Sequence, residues 1–96
     1  MKLRLVWSRR ALSRLDHIGR YIAEKNPDAA NRVVQRIVSA VNSLCDFPAQ
    51  GKVGRIASTR ELVLADFPYI IVYRATDETL QVLTVMHTSQ RWPARF

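Results

Sequence analysis

Apolar and polar positions along the chain follow two periods, near 3.6 residues in the first half and near two in the second. Leu3-Arg4-Leu5-Val6-Trp7 alternates weakly and predicts a short first strand. Ser8 is a good N-cap for the helix that follows. In that helix Ala11, Leu12, Leu15, Ile18 and Ile22 fall within roughly a third of the wheel, with Arg9, Arg10, Arg14, Arg20 and Lys25 opposite them. Gly19 lies on the apolar arc, where it costs helix propensity, and a close approach by another helix would explain it. Asn26-Pro27 breaks and restarts the chain, Asn26 as cap and Pro27 at the first helical position. The second helix is expected to run to Cys45 or Asp46. Its apolar stripe of Ala30, Val33, Val34, Ile37, Val38, Val41 and Leu44 covers about half the circumference. So wide a stripe suggests contacts on two sides, the protein's own sheet and either a partner or the first helix.

Phe47 to Gly54 is read as one long loop. It is not a phosphate-binding loop, because it lacks the glycine spacing, the Gly-Lys-Ser/Thr ending and a following helix. Three apolar, β-branched and aromatic runs come next: Thr59 to Leu64, Pro68 to Arg74 and Leu80 to His87. Asp66-Phe67-Pro68 and Ala75 to Thr79 are the turns between them. The predicted fold is α+β: an N-terminal strand, a two-helix hairpin, then a three-stranded antiparallel meander, with the helices packed on one face of the sheet. Residues 1–96 read as one domain.

Composition narrows the possible functions. The chain has 96 residues, 48% of them apolar, enough for a core without staples. Cys45 is the only cysteine, which excludes an intramolecular disulfide and a four-cysteine zinc site. No signal-peptide h-region or membrane-spanning run is evident, so the expected location is the cytoplasm, away from membranes. Fifteen Lys and Arg against eight Asp and Glu give a net charge of +7. Residues 1–36 carry nine of the basic and three of the acidic groups, a net of +6. Such a field speeds encounter with nucleic acid or an acidic protein tail, or it simply keeps the protein soluble.

Catalytic chemistry is sparse. The histidines are His17 and His87, and neither accompanies a Gly-x-Ser-x-Gly elbow or a cluster of carboxylates. No metal or other cofactor is expected. The sharpest enzymatic reading is metal-free RNA cleavage, with Arg60 and Arg74 holding phosphate and His87 moving the proton.

The chain resembles the RelE/ParE superfamily of type II toxin–antitoxin toxins, and the ParE branch in particular. The resemblance rests on Trp7, Ala29-Ala30, Pro48 to Gly51, Thr59-Arg60-Glu61-Leu62, Pro68-Tyr69-Ile70-Ile71-Val72-Tyr73-Arg74, and His87 with Gln90-Arg91-Trp92-Pro93. One departure is Ser58, where the pattern leads one to expect glycine. The resemblance implies a toxin held inactive by a cognate, ParD-like antitoxin, with operator DNA bound only through that antitoxin. An acidic amphipathic antitoxin segment is expected to lay its apolar side on Val34, Ile37 and Val41 and to pair its carboxylates with Arg9, Arg14 or Arg20. RelE-like toxins cleave mRNA on the ribosome, usually with an acid/base or stacking residue at the extreme C-terminus. Here no tyrosine follows Tyr73, and Ala94-Arg95-Phe96 offers no proton-transfer group. Characterised ParE-like toxins poison DNA gyrase. On that reading Arg60, Arg74, His87, Arg91 and Trp92 recognise the target and none is catalytic. The alternative is a ribosome-dependent mRNA endonuclease.

Overall fold

Backbone pairing joins the two ends of the chain in one five-stranded sheet. The computed structural model describes residues 2–94 and 96. In chain order the elements are β1 (Arg4–Trp7), α1 (Arg9–Ala23), α2 (Pro27–Asp46), a 3₁₀ turn (Pro48–Gln50), β2 (Lys52–Val53), β3 (Arg60–Val63), β4 (Tyr69–Ala75) and β5 (Thr79–His87). The sheet order is β1-β5-β4-β3-β2. The predicted meander is present as β3, β4 and β5, each antiparallel to the next. β1 returns beside β5 in parallel, Arg4 opposite Thr79 and Trp7 opposite Val82.

Both helices start where the sequence places them. The Ser8 side chain accepts a hydrogen bond from the Ala11 amide, and Asn26 accepts one from Ala29, which satisfies amides that otherwise lack partners. The hairpin covers one face of the sheet. Ala11 and Ile18 of α1, seven side chains of α2, and Ile71, Tyr73, Leu80, Val82 and Val85 of the sheet lie in one buried cluster or at its edge. Gly19 marks the close approach of the helices, since a Cβ there would stand 3.2 Å from Val34 Cγ2. The neighbour is a side chain, not the helix backbone.

Two sequence readings change. The loop from Phe47 to Gly54 contains the 3₁₀ turn and β2, and β2 exists only by pairing Lys52 with Glu61 and Val53 with Arg60. The wide stripe of α2 is not half free for a partner: Val33, Ile37, Ala40, Val41 and Leu44 are at most 5% exposed. The sheet and α1 together take up nearly all of it. Cys45 is buried, as a small hydrophobe should be, and burial pushes its thiol pKa up.

Candidate functional site

Alternation along β3, β4 and β5 decides what the sheet presents on its other, helix-free face. Tyr69, Ile71 and Tyr73 point to the helices, so Ile70, Val72 and Arg74 point away. A register shift opposite Val72/Tyr73 turns Leu83 to that open face as well. Ile70, Val72 and Met86 form a small apolar patch there, and Trp92, Phe96 and Leu83 pack against it. The chain after β5 therefore folds back over the sheet. The Arg55 guanidinium lies 3.7 Å from the centre of the Trp92 ring, and Arg10 lies 5.7 Å from that of Phe96.

Beside the tail is a cleft of about 440 Å³ lined by Ser8, Arg10, Ile56, Ala57, Thr59, Arg74, Leu83, Ala94 and Phe96. Among the described residues, the charged side chains that line it are Arg10 and Arg74. Arg74 uses Nε to donate to the Ser58 carbonyl at 3.2 Å, leaving its terminal nitrogens without a hydrogen bond among the described residues. The hydroxyls are committed, Ser8 donating to the Leu83 carbonyl and Thr59 to the Ile56 carbonyl. Ser58 has φ of 65°, a left-handed conformation that costs a side-chain-bearing residue about 1–2 kcal/mol. This is the physical reason a glycine suits the position.

The five predicted recognition residues do not converge on one spot. Arg74 and Trp92 lie on the open face. Arg60 pairs with Tyr73 and so points to the opposite side, where it donates to the Gly51 carbonyl at 2.8 Å. The buried Tyr73 hydroxyl is held there too, donating to the Pro48 carbonyl and accepting from the Gly51 amide, while burial pushes its pKa up. Arg91 is exposed in the tail. His87 sits at the far end of β5 in a separate hollow of about 340 Å³ with His17, Ile18, Tyr21, Tyr69 and Ser89. Its ring meets Tyr69 edge-on, and its Nδ1 accepts from the Ser89 amide at 3.1 Å. Tyr69, at the His87 end, and Arg74 are five residues apart on β4, roughly 17 Å at strand spacing. Arg60, Arg74 and His87, the set considered above for metal-free RNA cleavage, therefore lie in three separate places.

The residues expected to meet an antitoxin also separate. Ile37 and Val41 are fully buried, so they are core residues and present no surface to a partner. Arg14 is partly buried and reaches the Val85 carbonyl and the Gln90 side chain, where it braces the start of the tail. Arg9 is exposed, and Arg20 pairs on the surface with Asp16 at 3.0 Å, a contact worth at most about 1 kcal/mol. Val34 does line an open groove of about 460 Å³ between the helices, together with Leu12, Leu15, Asp16, Gly19, Arg20 and Ala23. Leu12 is 53% exposed. Leu12 belongs to the apolar arc of α1 read from the sequence, yet it sits at the margin of that arc. Arg10 and Arg55 were also missed, since neither belongs to a motif; only their aromatic partners far along the chain reveal them. Among the described residues there is no cluster of three or more metal-ligating side chains, and no helix is long and apolar enough to cross a membrane.

Comparison with known proteins agrees with this architecture. Residues 5–92 match the model of the ParE toxin of the type II toxin–antitoxin system parDE. A Sinorhizobium fredii protein named toxin Y4kP is 59% identical over 94% of this chain and 93% of its own length. Toxin RelE2 of Caulobacter vibrioides is 35% identical over 90% of this chain and 96% of its own. Among solved structures, a chain of the chromosomal ParDE system from P. aeruginosa superposes with a TM-score of 0.81 at 27% identity, covering 92% of this chain and 98% of that one. A free-state mutant of the E. coli toxin RelE shares the fold, with a TM-score of 0.70 at 17% identity and coverage of 93% and 86%. The strand, hairpin and sheet order, with the cationic open face, thus accompany a match across nearly the whole chain, and the protein belongs to the ParE toxin family of type II toxin–antitoxin systems.

Proposed function

We propose that this toxin arrests growth by binding DNA gyrase through the open face of its sheet and its tail, without itself breaking bonds. The observation that carries this reading is the separation of the arginines in the open-face cleft from His87, the candidate acid/base residue. Among the described residues, the cleft that holds Arg10 and Arg74 is lined by no His, Asp, Glu or Tyr side chain, and His87 lies in another hollow. Metal-free phosphodiester cleavage needs a base within hydrogen-bond reach of the attacking hydroxyl. A binding surface has no such requirement, and arginine beside tryptophan is the residue pairing that most often anchors interfaces. Purified toxin in a gyrase supercoiling assay, beside a cell-free translation assay, tests the reading. Inhibited supercoiling with intact translation is expected; blocked translation with intact supercoiling overturns the reading in favour of mRNA cleavage.

The antitoxin partner is assigned to the groove between α1 and α2. Leu12, Leu15, Gly19, Ala23 and Val34 give it an apolar floor, and Arg20 with the exposed Arg9 suits an acidic amphipathic segment. Leu12→Glu combined with Arg20→Glu is expected to weaken antitoxin binding at least about tenfold, since truncating or reversing a central anchor typically costs more than 1 kcal/mol. Unchanged affinity in a titration would move the antitoxin elsewhere.

A further inference from the structure

Of the acidic side chains, Glu61 is the buried one, 2% exposed on the open face of β3 opposite Val72. A carboxylate withdrawn from water needs compensating donors. Among the described residues, its hydrogen bonds all come from one residue, Arg55. Glu61 Oε2 accepts from the Arg55 amide at 2.7 Å and from Arg55 Nε at 3.2 Å, and Oε1 accepts from Arg55 Nη2 at 3.3 Å. The guanidinium is thereby gripped by both oxygens, and its central carbon lies over the Trp92 indole, 3.7 Å from the ring centre. Trp92 in turn packs on Ile70, Val72 and Met86. Among the described residues no backbone hydrogen bond ties the chain beyond Gln90 to the rest of the protein. The tail's position therefore depends on what grips its side chains. The same carboxylate also fixes the backbone of the loop through the Arg55 amide, and that loop supplies Ile56, Ala57 and Thr59 to the cleft while the tail supplies Ala94 and Phe96.

We propose that Glu61 and Arg55 are positioning residues: the carboxylate orients the guanidinium, and the guanidinium holds Trp92, so that one buried charge sets both walls of the open-face cleft. This deepens the functional reading above and rests on it only where target inhibition is concerned. An apolar patch alone would accept the indole in many orientations, whereas a cation plane restrained from behind selects one. Lysine cannot replace Arg55, because it lacks the planar fork that grips both oxygens and stacks on a ring.

The test places Trp92 as the sole tryptophan in a Trp7→Phe background and reads acrylamide quenching of its fluorescence, amide exchange in β4, and gyrase inhibition. Glu61→Gln, Arg55→Ala and Arg55→Lys are each expected to raise Trp92 quenching about two- to fivefold, the range a surface cation–aromatic contact supplies. Amide protection in β4 should stay at the parent level, which separates a loosened tail from a destabilised fold. Arg55 lies on an exposed loop, so its variants carry the test if the buried Glu61→Gln does not fold. Unchanged Trp92 quenching in folded Arg55→Ala overturns the proposal. A tail that loosens in variants of a parent that never inhibits gyrase supports the positioning pair and overturns the gyrase reading alone.

Discussion

The two faces of the sheet are closed by different means. The helix side is sealed by a hairpin whose two helices are capped, packed on each other at Gly19 and Val34, and buried against side chains of β1, β3, β4 and β5. The open side has three buried apolar residues, Ile70, Val72 and Met86, and what covers them is a tail held by ring packing and two cation–aromatic contacts. The helix side specifies the fold. The open side keeps its cover more loosely, since segments with few backbone hydrogen bonds open most readily, and Arg74, Arg91 and Trp92 there are the residues proposed above to meet the target.

Neighbouring isoleucines test this contrast most sharply. Ile71→Ala, on the sealed side, is expected to lower unfolding free energy by about 3–5 kcal/mol, because the packed hairpin cannot collapse into the space. Ile70→Ala, one residue away on the open side, is expected to cost about half as much, since the tail can settle onto the smaller surface. Equal losses in denaturant titrations would mean that the tail is as rigid as the hairpin. Acid supplies the next largest effect. Burial raises the Glu61 pKa, but hydrogen bonds and charge from Arg55, with the charge of Lys52, outweigh it and leave the carboxyl below the ordinary glutamate value. A depressed carboxylate stabilises the fold above its unfolded pKa, and the contribution disappears as pH falls through the folded one. Stability should therefore hold from neutrality down to the ordinary glutamate range and decline below it, and Glu61→Gln should flatten that decline in a pH series of thermal melts.

Relief of backbone strain is smaller. Ser58→Gly is expected to stabilise by about 0.5–1 kcal/mol, the left-handed penalty less the extra freedom glycine gives the unfolded chain. A lower melting temperature in that variant would show that the serine side chain contributes more than its backbone costs. Smallest in stability, yet decisive for function, is Arg74→Ala. Its unfolding free energy should stay within about 0.5 kcal/mol of the parent while growth arrest weakens. Full arrest by the folded variant would remove Arg74 from the recognition surface.

The sealed side was largely legible in the sequence. Helix caps at Ser8 and Asn26 and the runs around Tyr69 and Val82 announce themselves through local chemistry and period. β2 was not legible, because Lys52 and Val53 are both exposed and carry no period; pairing with β3 alone makes them a strand. Nor did the stripe of α2 reveal which residues a partner can reach. Ile37 and Val34 look alike on a helical wheel, and the path of α1 is what leaves one buried and the other beside the groove. The grip of Arg55 on Trp92 joins residues 37 positions apart, beyond any local signal.

The parallel pairing of β1 with β5 bears on how the molecule comes into being. Arg4 finds its strand neighbour 75 positions later, at Thr79, so the first strand to leave the ribosome waits for the last. Long-range closure of this kind is slow compared with forming the helical hairpin. A chain that stops short of residue 79 therefore leaves β1 without its strand neighbour, and only the helical hairpin remains for it to lean on.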